Sequence, residues 1–192
     1  MIGLSIDAIQ VGDRAEIVRQ VTGDDIAGFV EAVGDYNPVH SDPEYAAATS
    51  FGEPIAPGIW TAGLISAVIG TRLPGPGAIY LSQSLKFLRP VKFNDTITAR
   101  VEVLEAHREK NRMRLQTTCA NQHGEVVLTG EAIVMPPKRR VVYEPARDGA
   151  GWIALWTLAP WAWATQTAAA GVMLALGAMS FAAGAADGPG QP

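Results

Sequence analysis

Charged residues are scarce in this chain, at 18% against a hydrophobic fraction of 48%, so part of it is unusually apolar. The scarcity is local: from Gly149 to Ala186 there is no Asp, Glu, Lys or Arg, and Ala, Gly and Trp dominate. Cysteine is nearly absent, and with Cys119 alone no intramolecular disulfide forms. Basic runs are limited to Lys138-Arg139-Arg140. A net charge of −4 and a pI near 5.3 provide no field for a phosphate backbone, so nucleic acid is not an expected partner. The opening "MIGLSIDAIQVGDRAE" lacks the basic and apolar segments of a secretory signal, and a cytoplasmic location is expected for the folded part. Metal-ligand spacings, phosphate loops and nucleotide fingerprints are missing as well, so neither a metal nor a cofactor is expected.

What is present falls into two parts. A length of 192 residues suits one domain with a sizeable core. Composition changes at residues 136 to 140, which divides the chain into a folded domain over residues 1–137 and a linker with a charge-free tail over 138–192. In the first part "RAEIVRQV" alternates as an opening strand does. "TGDDIAGFVEAVG" follows, with Thr22 and Asp25 at capping-box spacing and Ile26, Phe29, Val30 and Val33 on one helical stripe that ends at Gly34. "SDPEYAAAT" is a short helix start, with Pro43 in the first turn and Ser41 or Asp42 as its cap. "PGIWTAGLISAVIGTRL" is apolar in every direction of a helical wheel, with only Thr61 and Ser66 polar before Thr71, and is expected to be buried on all sides. Four period-2 segments come next, "AIYLSQSLKFL", "TITARVEVLEAH", "NRMRLQTTCANQ" and "EVVLTGEAIVM", joined by short polar connections. The expected fold class is α+β: an antiparallel sheet, wet on one face, with the other wrapped round a central helix.

The chemistry concentrates in "GDYNPVHSDPEYA", residues 34 to 46. Asn37-Pro38 forbids a regular helix there, so Asp35 and His40 sit on an irregular, extended turn from which both side chains can converge. A carboxylate beside an imidazole is suited to taking a proton from water and delivering one elsewhere. Asp and Asn are equally at home as plain turn formers, so the stretch alone fits either reading. Gly58 starts the apolar helix, where free amides and the dipole favour developing negative charge; Pro57-Gly58 would also simply begin a helix. Ser66 either bonds back to a carbonyl or reaches into a pocket.

"GDYNPVHSDPEYA", then eleven residues, then "GIWTAGLISAVIG", then "LPGPGAIYLSQSLKFLRPVKFNDTITARVEV", resembles the MaoC-like, (R)-specific enoyl-CoA hydratases of the hot dog fold, over roughly residues 8 to 136. The resemblance implies hydration of trans-2-enoyl-CoA to (R)-3-hydroxyacyl-CoA, in fatty acid or polyhydroxyalkanoate metabolism, with Asp35 and His40 activating the water. It further implies that the Gly58 amide meets the thioester oxygen, that Asn37 and Ser66 support the site, and that Ile69 and Val134 limit the acyl chain. A homodimer joined edge to edge, with the CoA ester near its interface, is implied too. Pro57 departs from the His-Gly pair of many relatives and leaves the carbonyl-binding geometry less defined than the acid/base pair. A hot dog acyl-CoA thioesterase and a non-catalytic acyl-CoA-binding or anchoring protein are the competing readings. For residues 149–186, association with a membrane or polyester-granule surface, a true span and a flexible extension all remain open.

Overall fold

The computed structural model describes residues 1–144; the tail readings for residues 149–186 lie outside the described residues. In chain order the elements are β1 (Ile2–Gly3), β2 (Arg14–Gln20), α1 (Gly23–Val33), α2 (Pro43–Ala47), α3 (Gly58–Thr71), β3 (Ile79–Gln83), β4 (Lys86–Phe87), β5 (Thr96–His107), β6 (Arg112–Ala120), β7 (Val126–Met135) and β8 (Val141–Val142). Strands β2, β5, β6, β7 and β3 lie in that order in one antiparallel sheet, and β4 pairs with β7. The compact unit runs from Met1 to Glu144, past the 137/138 division drawn from composition, because β8 pairs with β1.

The inner face of the sheet follows from period-2 patterning. Ile97, Ala99, Val101 and Val103 on β5 and Met113, Leu115, Thr117 and Cys119 on β6 are all at most 1% exposed. Their partners across the core are Ile65, Val68 and Ile69 of α3. Burial of a side chain of this size is worth about 1.5–3 kcal/mol, so this layer dominates stability. The outer face is ionic: Arg114 bridges Glu105 and Glu131, and its guanidinium holds the Glu105 carboxyl down to about 2.

Local signals account for α1 and α2. The Thr22 hydroxyl accepts from the Asp25 amide at 3.1 Å, Asp25 reaches back to the Thr22 amide, and Gly34 closes α1 in the left-handed region at φ 74°. Asp42, rather than Ser41, caps α2 by accepting from the amides of Glu44 and Tyr45 at 2.9 and 3.0 Å.

Three expectations change. Val33 is 57% exposed, because the stripe of α1 that packs ends at Val30. α3 is not buried on all sides: Trp60, Thr61, Ile65, Val68 and Ile69 are buried, whereas Ile59, Gly63, Ser66 and Gly70 form an exposed stripe. The cause is that the strands pack against only one side of the helix. "AIYLSQSLKFL" is not one strand but two, β3 and β4, with a bulge between Tyr80 and Ser82. At the break the Ser84 carbonyl approaches Gly130 so closely that a Cβ there would lie 1.8 Å from its oxygen, which only glycine permits.

Candidate active site

The segment between α1 and α3 builds the site. Asn37, extended at φ −60° and ψ 120°, accepts the Val39 amide on its side-chain oxygen at 3.3 Å and so caps a single 3-10 turn, Pro38–His40. The stretch between Asp35 and His40 is therefore tighter than the extended turn expected. Asn37 thereby fixes the bend that brings the Asp35 and His40 side chains to one place. His40 is 9% exposed, and its Nδ1 lies 2.7 Å from the Ile55 carbonyl oxygen. A carbonyl only accepts, so Nδ1 carries the proton and the lone pair of the neutral ring is on Nε2. That Nε2 is 3.8 Å from Asp35 Oδ2, and the Asp35 side chain is 44% exposed. The gap is too long for a direct hydrogen bond and suits one water donating to both acceptors.

Ile55 also lines a cavity of about 450 Å³ at the amino end of α3. Gly58, Ile59 and Thr61 form its helix side, and Phe87, Val127 and Leu128 its strand side. Pro57 caps α3 without an amide of its own, and the amides of Gly58 and Ile59 meet no backbone carbonyl among the described residues. A Cβ on Gly58 would come 2.8 Å from the Phe87 ring, so an aromatic side chain packs where a larger residue would clash. Asp35 and His40 do not themselves line the cavity; the Ile55 backbone links them to its wall.

The other site residues named from sequence are scattered. Ser66 lies on the exposed stripe of α3, outside the cavity. Ile69 and Val134 are 1% and 0% exposed and sit in the core, also outside it. Apart from those residues, Arg89 lines the cavity, pairs with Glu125 at 3.5 Å and donates to the Val126 carbonyl at 2.9 Å, and the nearby Lys92 pairs with Glu53. Behind α3, Cys119 Sγ lies 3.7 Å from the Thr61 carbonyl oxygen, and burial pushes its thiol up to about 12, which leaves it protonated and inert. Among the described residues no cluster of three or more His, Cys, Asp or Glu could hold a metal. Sequence reasoning missed Thr61, Ile55 and Phe87. Thr61 carried a signal, as one of two polar residues on an apolar helix; the other two did not, because their parts are a backbone carbonyl and a ring packed across the fold.

The family model described as the MaoC like domain matches residues 8–126. The chain belongs to the MaoC-like family. Its sheet wrapped on α3 is accordingly the hot dog fold. A 3-hydroxybutyryl-CoA dehydratase of Methylorubrum extorquens is 48% identical over 136 residues, 71% of this chain and 86% of that protein. An (R)-specific enoyl-CoA hydratase of Aeromonas caviae is 40% identical over 134 residues, 70% of this chain and all of that one. The unliganded R-hydratase PhaJ1 of Pseudomonas aeruginosa superposes with a TM-score of 0.72 at 44% identity, covering 76% of this chain and 94% of its own. The MaoC-like match takes in the Asp35–His40 turn, α3 and the strands up to the start of β7.

Proposed function

We infer that this MaoC-like chain is an enoyl-CoA hydratase, a lyase that adds water across trans-2-enoyl-CoA to give (R)-3-hydroxyacyl-CoA. The observation that carries the reading is the 3.8 Å gap between Asp35 Oδ2 and His40 Nε2, two acceptors able to grip one water beside the amino end of α3. With the acyl thioester in the cavity at Gly58, the water oxygen forms a bond to C3 as the Asp35–His40 pair removes its proton. The C2–C3 double bond breaks toward C2, and the thioester becomes an enolate whose oxygen meets the free amides of α3. The proton held by the pair then returns to C2, so the elements of water end up on C3 and C2. General base help is worth roughly 10²- to 10⁴-fold and an oxyanion donor a further ~10²- to 10³-fold. Dehydration runs through the same steps in reverse.

The reading is tested with crotonyl-CoA and the full chain. Enoyl-thioester absorbance is expected to fall as (R)-3-hydroxybutyryl-CoA forms, with no free thiol released. Release of CoA would identify a thioesterase instead, and binding without turnover a carrier or anchor.

We propose, in addition, that two chains join through β3. Of the two edges of the sheet, β2 presents Arg14, Glu16 and Arg19, charges that discourage further pairing, whereas β3 is uncharged and exposes Ile79 and Leu81.

A further inference from the structure

Three polar residues are buried among the described residues: His40, Thr61 and Thr117. His40 bonds the Ile55 carbonyl, and Thr117 receives Gln83 Nε2 at 2.9 Å. Thr61, 2% exposed, has a hydroxyl with no partner among the described residues. A threonine inside a helix has an easy escape, donating back to the carbonyl four residues earlier. Thr71, on the same helix, does so to Ala67 at 2.6 Å. Thr61 does not. Its local candidate, the Pro57 carbonyl, already takes the amides of Trp60 and Thr61 at 3.0 and 3.4 Å. A buried hydroxyl left unpaired is disfavoured unless something outside the chain completes it.

Two further facts say where that something sits. Thr61 lines the cavity, and so does Gly58 three residues before it, on the same face of α3. Helical side chains lean toward the amino end, which places the Thr61 side chain next to the turn that holds Gly58. The cap residue, Pro57, contributes no donor there.

We propose that Thr61 is a second donor to the substrate's thioester oxygen, beside the Gly58 amide. The proposal rests on the hydratase reading for the identity of the ligand. The hydroxyl donates to the carbonyl in the bound ester and donates more strongly as that oxygen becomes an enolate, so its effect falls mainly on kcat.

The full-length chain is compared with Thr61→Val, which keeps the branched shape without the hydroxyl, and with Thr61→Ser, which keeps the hydroxyl. Thr61→Val is expected to lower kcat for crotonyl-CoA by about 10²-fold with little change in KM, as loss of one oxyanion donor does. Its Tm is expected to equal or exceed that of the parent, since the hydroxyl makes no bond among the described residues. Thr61→Ser should recover kcat to within about 3-fold, because the donor is restored. An unchanged kcat in Thr61→Val, a Tm that drops, or a serine variant as slow as the valine variant each overturns the proposal. A second readout does not depend on turnover. In the Asp35→Asn chain, the carbonyl stretch of crotonyl-CoA labelled with ¹³C at the thioester carbon should sit at lower wavenumber with Thr61 present than with Thr61→Val. Equal frequencies overturn the proposal. A Thr61-dependent shift in a chain whose parent does not hydrate would sink the hydratase reading and leave the donor role standing.

Discussion

At the scale of single residues, the site depends on which ring nitrogen of His40 is free. The Ile55 carbonyl fixes the proton on Nδ1 and presents the Nε2 lone pair to Asp35, an arrangement that Asp35 alone could not impose across 3.8 Å. The approach of Asp35 to His40 and the bend at Asn37 were legible in the sequence because a proline-stiffened turn is a local device. Ile55 was not, since its contribution is a main-chain oxygen brought from the far end of the connecting segment. Ser66 and Thr61 were equally visible as the polar residues of α3, yet the sequence could not rank them. Position on the wheel separates them: Thr61 lines the cavity and Ser66 lies on the exposed stripe. Ile69 and Val134 gain no contact with the cavity as it stands, both being enclosed in the core.

At the scale of elements, what is encoded locally was readable and what depends on neighbours was not. The capping box of α1 and the proline start of α2 lie where spacing placed them, and β5 covers the whole of "TITARVEVLEAH". The break between β3 and β4 escaped, because it answers to Gly130 on another strand, and the open stripe of α3 escaped because an all-apolar wheel does not say how far a sheet reaches round it. The capping box has a measurable share in stability, for α1 carries the chain into Asp35. Thr22→Ala is expected to lower unfolding free energy by about 1 kcal/mol, seen as an earlier denaturation midpoint with unchanged slope. An unchanged midpoint would mean that α1 is held by packing alone.

At the scale of the whole molecule, two surfaces of the described chain are unfinished: the uncharged edge of β3 and the exposed stripe of α3. A second copy joined through β3 gives a solution mass of twice 20.3 kDa by light scattering, and Leu81→Lys, which places a charge on that edge, should halve it. A parent chain that scatters as a monomer would remove the edge-to-edge dimer. The fold serves the chemistry by setting a short rigid bend beside the start of a helix that the sheet holds in place. The most direct test of that claim is the steady-state rate of crotonyl-CoA hydration by folded Asp35→Asn and His40→Ala chains against the parent. Each variant should lose at least about 10²-fold in kcat while keeping the parent's circular dichroism and melting behaviour. A rate close to the parent's from either variant would contradict a water shared between the two side chains.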